Sequence, residues 1–337
     1  MKTLVYHGPR QMSIEEHEEP LAGPGEAIIK VESVGICGSE LEGYLGYSSI
    51  RIPPLIMGHE CCGTLVEIGG QAGQVTDLSL GDKVVVNPLI SCGGCDCCSA
   101  GKTNLCRRRE LIGIHRQGAF AEYVKVPWNN LYAVPKAMHS SLASLAEPLA
   151  VGIHALKLGF QSFEDVLIFG AGTIGLLTLQ AAKNMGAERV LVVDKQEARL
   201  SNAAALGADA VKPEQLENKV SELYSAQGIN TVIDCVGVTA TRQQALQCMN
   251  PGGKMIMVGL GHEESPILMS RLVRQEVSIT GSYSYTQADF KQAVQLLVGG
   301  KISMDHWAIN RSLEEGPDAF LMLTEGKSNF SKIILNP

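Results

Sequence analysis

The chain reads Val166-Leu167-Ile168-Phe169-Gly170-Ala171-Gly172-Thr173-Ile174-Gly175 and, after an apolar stretch ending near Met185, Arg189-Val190-Leu191-Val192-Val193-Asp194. Four consecutive large apolar residues suit a strand covered on both faces, and the glycine run after them opens a segment of helical pattern. A G-x-G-x-x-G spacing is weak evidence when it stands alone. Set between a buried strand and a helix, with an acidic residue closing the next strand, it is the fingerprint of a dinucleotide-binding turn. Gly170 permits the tight turn, Gly172 lets the backbone reach a pyrophosphate, and Gly175 lets the helix lie close on the strand; Thr173 and Ile174 belong to the same turn. Asp194 can accept hydrogen bonds from both hydroxyls of an adenosine ribose. A 2′-phosphate would meet its negative charge, so these residues favour NAD over NADP.

Outward from this turn the texture alternates strand and helix. Strands are expected at residues 210–211, 231–236, 254–258 and 277–280, a spacing that suits a parallel sheet with right-handed crossovers. Residues 149–158 read as a helix, with Pro148 suited to its first turn and Glu147 just ahead of it. After Gly281 the repeat fails, leaving a helix at 287–297, a strand near Ile302, a helix at 315–324 and a terminal strand at 332–335. Upstream, short β-branched runs at 27–34, 63–68, 83–87, 120–126 and 130–134 are separated by Gly and Pro, which predicts an irregular, mostly antiparallel β domain. The charged run 15–19 reads as a solvated turn.

A chain of 337 residues exceeds one ordinary core, so two domains are expected. Hydrophobic residues at 45% and charged residues at 19% exclude a disordered chain, and a net charge of −7 argues against a nucleic-acid partner. The N-terminus carries no secretion signature, and the most apolar run, 166–182, is broken by glycines, so it is no membrane span. A cytoplasmic location follows as the expectation. The ten cysteines should then be reduced thiols or metal-bound thiolates.

Four of those cysteines, Cys92, Cys95, Cys98 and Cys106, follow C-x2-C-x2-C-x7-C, a spacing that lets one loop wrap a tetrahedral ion. Four sulfurs leave no open position, so this predicts a structural zinc. Cys97 is the extra cysteine, since the x2 spacing prefers Cys98. A second constellation is sparser: Cys37 in Gly35-Ile36-Cys37-Gly38-Ser39-Glu40, and His59-Glu60 after Gly58. A thiol, an imidazole and a carboxylate with a coordination position to spare is the outline of a catalytic zinc. Cys61 and Cys62 lack such spacing and read as small buried residues.

Assembled in order, these features resemble the zinc-dependent medium-chain dehydrogenases, and within them the branch of polyol, threonine and sugar-acid dehydrogenases. The likeness spans essentially the whole chain. It is carried by Gly35 to Ser39, by Gly58-His59-Glu60 through Gly63 and Gly69 to Gly81-Asp82-Lys83-Val84, by the cysteine lobe, by Gly118-Ala119-Phe120-Ala121-Glu122-Tyr123, by Glu147-Pro148-Leu149-Ala150-Val151, and by the glycine loop with Asp194. The resemblance implies an α/β fold in which a Rossmann doubly wound parallel sheet (148–283) is inserted into a GroES-like, mostly-β catalytic domain (1–147 and 284–337) bearing the zinc lobe at about 92–106, with the active site in the cleft. It implies two zinc ions per chain, NAD as cofactor, and a homodimer or homotetramer.

It further implies that Cys37, His59, Glu60 and Glu147 surround the catalytic zinc, with either Glu60 or Glu147 touching it. Arg199, Val258, Gly259, Leu260, Ser282 and Tyr283 would join the glycine loop in holding the cofactor, and Ser39 would be the first proton acceptor. Tyr44, Tyr47 and His115 lie in segments that border the pocket in relatives. One departure stands out. The family commonly continues after Cys-Gly-Ser/Thr with Asp, one residue and His, whereas this chain has Glu40, Leu41 and Glu42. Glu40 can still hold an imidazole N–H; Glu42 cannot imitate an imidazole, though as a carboxylate it can accept a proton, with water as the alternative route. The implied activity is oxidation of a secondary hydroxyl of a polyol, sugar acid or sugar-alcohol phosphate. Threonine or vicinal-diol oxidation shares every ligand, and a catalytically silent NAD-binding regulator is disfavoured by the complete ligand set. The triplet Arg107-Arg108-Arg109 invites a phosphate-binding role but, directly after a zinc lobe, reads as a solvated basic turn.

Overall fold

The strand Glu26–Gly35 buries Ala27, Ile28, Ile29, Val31 and Val34, and it has partners along both edges. Glu60–Ile68 runs antiparallel to it on one side, while Tyr123–Pro127 and the terminal strand Lys332–Asn336 share the other. The computed structural model describes residues 1–70, 77–224 and 228–337, and the chain divides into one unit of Met1–Glu147 with Thr286–Pro337 and another of Pro148–Tyr285. The second crossing lies between Tyr285 and Thr286, and Thr286 caps the helix Gln287–Val298 with its hydroxyl engaged with Asp289.

The first unit is mostly antiparallel β-structure. Ile29, Leu65, Phe120, Phe320 and Ile333 lie in its main core, where Phe120 meets Phe320 edge to face at 5.7 Å. The tail is built into this unit, since Lys332–Asn336 pairs with Glu26–Gly35 and with Ala308–Ser312. The strand expected near Ile302 therefore begins at Ala308. Ser303 and Asp305 hydrogen-bond to each other in a turn that holds the chain out of strand geometry there, and Ile302 is buried without belonging to a strand. In the run 15–19, Glu15 and Glu16 end the strand Gln11–Glu16, with the Glu15 carboxylate bonded to His7 and Ser13.

The second unit is a six-stranded, all-parallel sheet. In spatial order its strands are Asp209–Val211, Val190–Val193, Val166–Phe169, Ile229–Asp234, Met249–Met257 and Ser278–Gly281. By sequence that is the order 3-2-1-4-5-6, in which the direction of winding reverses between the first and fourth strands, and ligands of such sheets bind outside the carboxyl ends at that reversal. The glycine loop leaves the first strand at this point. Val166 to Phe169 are all buried, as the unbroken apolar run requires.

Candidate metal centre and cofactor loop

Strand register assembles the first cluster. Gly35 stands opposite Glu60 on one side and Ile334 on the other, so the chain turns out of the sheet at Cys37 with His59 and Glu60 on one flank and Lys332 on the other. Cys37 then caps the helix Gly38–Tyr44. Its sulfur, an imidazole nitrogen of His59 and a carboxylate oxygen of Glu60 lie within 4.8 Å of one another. Glu40, fully buried, ties the group together: its carboxylate accepts the N–H of Cys37 at 3.0 Å and of Gly58 at 2.8 Å, and meets Nδ1 of His59 at 2.7 Å. With Nδ1 engaged, Nε2 is the nitrogen left for a metal. Gly58 makes the approach possible, having φ +98° in the left-handed region and no room for a Cβ against the Phe120 N–H at 2.6 Å.

The electrostatics suit a cation. Burial by itself pushes the Glu40 carboxyl up, but His59, Arg51 and the Cys37 N–H outweigh it and hold the group below the usual carboxylate range. Burial also disfavours an imidazolium at His59, yet Glu40 and Cys37 raise its proton affinity well above the ordinary value. A field that favours a proton at His59 favours a metal there, and the two compete. A raised proton affinity means that protons compete with a metal here up to a higher pH than at an ordinary imidazole. Zinc affinity at this cluster should therefore rise with pH through the neutral range, by up to about tenfold per unit, and fall on acidification. Equilibrium dialysis against buffered zinc at several pH values checks this; affinity independent of pH would contradict it.

The second cluster lies in a loop of the same unit. Sulfur separations of 3.5 Å (Cys95–Cys98), 3.9 Å (Cys95–Cys106) and 4.0 Å (Cys92–Cys98) bracket the edge of about 3.8 Å that follows from a tetrahedron with Zn–S bonds of about 2.3 Å. The Gly94 N–H and the Cys106 thiol pull the Cys92 thiol down to about 6, while burial and the neighbouring sulfurs push that of Cys98 up to about 11. Four sulfurs this close do not all ionise without a cation among them. Cys97 is outside the cluster. Arg107 pairs with Asp96 at 2.8 Å in solvent, as a basic turn would. Cys61 and Cys62 are buried, and burial pushes the Cys61 thiol up to about 12.

Other expected residues sit differently. Glu147 is buried inside the first turn of the helix Ala146–Lys157 rather than ahead of it, and it is not part of the three-residue cluster. Ser39 donates its hydroxyl to the Cys37 sulfur at 3.4 Å. The Glu42 side chain is exposed and makes no hydrogen bond to Ser39, so Glu42→Gln should leave turnover within about twofold at every pH, read from a full pH–rate profile. Tyr44 is buried against Phe320, whereas Tyr47 and His115 are exposed.

In the second unit, Gly170 has φ +94°, Gly175 has no room for a Cβ against the Gly170 carbonyl, and Gly172 caps the helix Thr173–Asn184 with nothing within 4 Å of where its Cβ would be. That open position at a helix start, with Thr173 and Ile174 next in line, fits a pyrophosphate. The Asp194 carboxylate accepts the Ala171 N–H at 2.8 Å and the Gln196 N–H at 2.9 Å, and Arg199 stands 3.9 Å from it. Val258, Gly259 and Leu260 follow the fifth strand, where the Val258 and Gly259 N–H groups both reach the Asp234 carbonyl at 2.9 Å and Leu260 is exposed. Ser282 and Tyr283 follow the sixth. The Ser282 hydroxyl is buried without a hydrogen-bond partner among the described residues, an orphan that a cofactor amide would satisfy.

Residues 23–136 match the alcohol dehydrogenase GroES-like domain and residues 173–299 the zinc-binding dehydrogenase domain. Sorbitol dehydrogenase of Bacillus subtilis (strain 168) is 30% identical over 348 residues, covering 100% of this chain and 97% of that protein. The chain belongs to the zinc-dependent medium-chain dehydrogenase family. L-idonate 5-dehydrogenase of Vitis vinifera is 32% identical over 344 residues, 98% of this dehydrogenase and 93% of the relative. Among solved structures, galactitol-1-phosphate dehydrogenase from Escherichia coli superposes with a TM-score of 0.90 at 28% identity, covering 100% of both chains.

Two buried cations stand beside the Cys37, His59 and Glu60 cluster of this dehydrogenase, and no sequence motif announces them. Lys332 opens the terminal strand, donates from Nζ to the Ile36 carbonyl at 2.9 Å and pairs with Glu60. Burial opposes its charge, but Glu60 and Cys37 raise its proton affinity above the ordinary value, so it stays cationic. Gly35 leaves the space in which the pair meets, since a Cβ there would strike both side chains. Lys332→Met strands a buried carboxylate and should destabilise the zinc-stripped protein by about 3–5 kcal/mol, read from denaturant midpoints with and without zinc; an unchanged midpoint would show that the pair is dispensable. The second cation, Arg51, donates from Nη2 to the Ser39 hydroxyl at 3.0 Å.

Proposed function

We propose that the protein oxidises a secondary hydroxyl of a polyol, sugar acid or sugar-alcohol phosphate to the ketone with NAD as hydride acceptor, or runs the reverse. The observation that carries this is the cluster of Cys37, His59 and Glu60 with its Glu40 brace, in a chain that also bears the glycine loop and Asp194. A zinc ion held by Cys37, His59 and a carboxylate, Glu60 or Glu147, would supply Lewis acidity toward the substrate hydroxyl. Glu40 fixes the imidazole so that Nε2 faces the metal position. Lys332 holds Glu60 by its carboxylate and balances part of the anionic charge. Ser39 Oγ would take the hydroxyl proton, a role supported by its contact with the Cys37 sulfur, and it already accepts a hydrogen bond from Arg51. Glycine-loop N–H groups would bind the pyrophosphate and Asp194 the adenosine ribose, which favours NAD over NADP.

Substrate class rests on the relatives named above. A panel of hexitols, aldonates, hexitol phosphates, threonine and 2,3-diols, followed by NADH formation, tests it; turnover confined to threonine or diols would replace the proposal. The proposal includes a homodimer or homotetramer in the cytoplasm. Ser278–Gly281 ends the sheet with an open edge, and Leu268, Met269 and Val273 just before it are exposed, as an edge paired with a second copy would require. None of the ten cysteines, all of them among the described residues, is paired in a disulfide, in keeping with a reducing compartment. Sedimentation at micromolar concentration reads the assembly, and a monomer would refute that part.

A further inference from the structure

We propose that Arg51 makes this site select an alcohol bearing an anionic end group, a carboxylate or a phosphate ester, over the uncharged polyol of the same configuration; the inference rests on the dehydrogenase function proposed above. The segment Ile50-Arg51-Ile52 is folded inside out. Ile50 is 54% exposed and Ile52 73%, while Arg51 between them is 5% exposed. Hydrophobic burial alone would order them the other way. Taking a guanidinium out of water without an anionic partner is strongly unfavourable, and among the described residues no carboxylate lies within 4.0 Å of it.

Its hydrogen bonds are also incomplete. Nη2 reaches Ser39 Oγ, Nε is buried with no partner among the described residues, and the stem lies in the space that Gly43 leaves by having no side chain. Glu40 contributes its field, but its oxygens already serve Cys37, Gly58 and His59. A planar, desolvated donor therefore stands one hydrogen bond from the hydroxyl that takes the substrate proton, with capacity to spare. Its fork geometry matches carboxylate and phosphate oxygens, whereas a hydroxymethyl group offers only a neutral acceptor. No residue of the predicted ligand set supplies a positive charge at this place.

The test uses zinc-loaded, full-length enzyme and three substrates of matched configuration: an aldonate, a hexitol phosphate and the free hexitol. Wild type should prefer one anionic substrate over the hexitol by roughly 10- to 100-fold in kcat/KM, the span expected of a charge-assisted contact, and whichever arm responds identifies the anion. Arg51→Met, which keeps the stem, should erase the preference chiefly through KM. Arg51→Lys should retain part of it. In parallel, calorimetry on the non-reacting enzyme–NADH complex should show the dissociation constant of the preferred anion weakened by a similar factor in Arg51→Met. Equal use of hexitol and anions by wild type overturns the proposal, as does a parallel loss on all three substrates, which would make Arg51 only a counter-ion to Glu40. If Arg51→Met does not fold, the same ratios are read in Arg51→Lys. If none of the three substrates reduces NAD, the proposed function fails, and calorimetry with the two anions and the hexitol still decides whether Arg51 binds the anion.

Discussion

Cys37→Ser is expected to lower the zinc content from two ions per chain to one and to abolish NADH formation. A serine hydroxyl does not ionise near neutrality and is a poor replacement for thiolate, so the cluster is left with one imidazole and a carboxylate that Lys332 already holds. Loss of the metal's stabilisation of developing charge amounts to several kcal/mol, about a thousandfold or more in rate. Folding should survive, because Cys37 is the residue that caps the helix Gly38–Tyr44 and serine is a preferred cap. The cysteine lobe should keep its ion. Metal analysis by mass spectrometry together with initial rates separates the outcomes: a variant that retains both ions and full turnover would remove Cys37 from the site.

Asp194→Ala should weaken NAD binding and relax discrimination against NADP by about 100-fold in the ratio of kcat/KM values. The proposed role of Asp194 as acceptor for the ribose hydroxyls would be lost, and with it the charge that would repel a 2′-phosphate. Arg199, 3.9 Å away in the wild type, is then released toward the incoming phosphate. Part of the loss should appear as a looser glycine loop, since the Ala171 N–H loses its acceptor at 2.8 Å. Asp194→Asn, which keeps an acceptor for that N–H, separates the two contributions. An unchanged NAD/NADP ratio in both variants would place ribose recognition elsewhere.

The nucleotide-binding half is legible in the sequence because its signals are local. Val166 to Phe169 announce a doubly covered strand, the glycines a tight turn, and Asp194 the end of the next strand, all within one βαβ unit. The cysteine lobe is legible for the same reason, four ligands within one loop. The Cys37, His59 and Glu60 cluster is less so, since its geometry depends on Gly35 pairing with Glu60 across the sheet. Lys332 and Arg51 are hidden altogether: composition places cations in solvent, and only long-range pairing of the terminal strand and the inversion at Ile50-Arg51-Ile52 bring these two inside. The strand near Ile302 was displaced by a side-chain turn that hydropathy does not register. Glu42 and Glu40, two positions apart on one short helix, face opposite environments, so the helix face rather than residue type decides that Glu40 braces the site and Glu42 is solvated.

At the centre of the proposed function is transfer of hydride from a secondary hydroxyl of the polyol and sugar-acid class to NAD, with Cys37, His59 and Glu60 holding the zinc that would activate the hydroxyl. It is tested most directly by following NADH formation from NAD across matched hexitols, aldonates and hexitol phosphates, with an enzyme preparation whose zinc content is measured in the same tube. The account predicts two zinc ions per chain and turnover on at least one of the three classes, with the ketone at the secondary carbon identified in the product. Two bound zinc ions and tightly bound NAD, with no hydride transfer from any of the three, would contradict it.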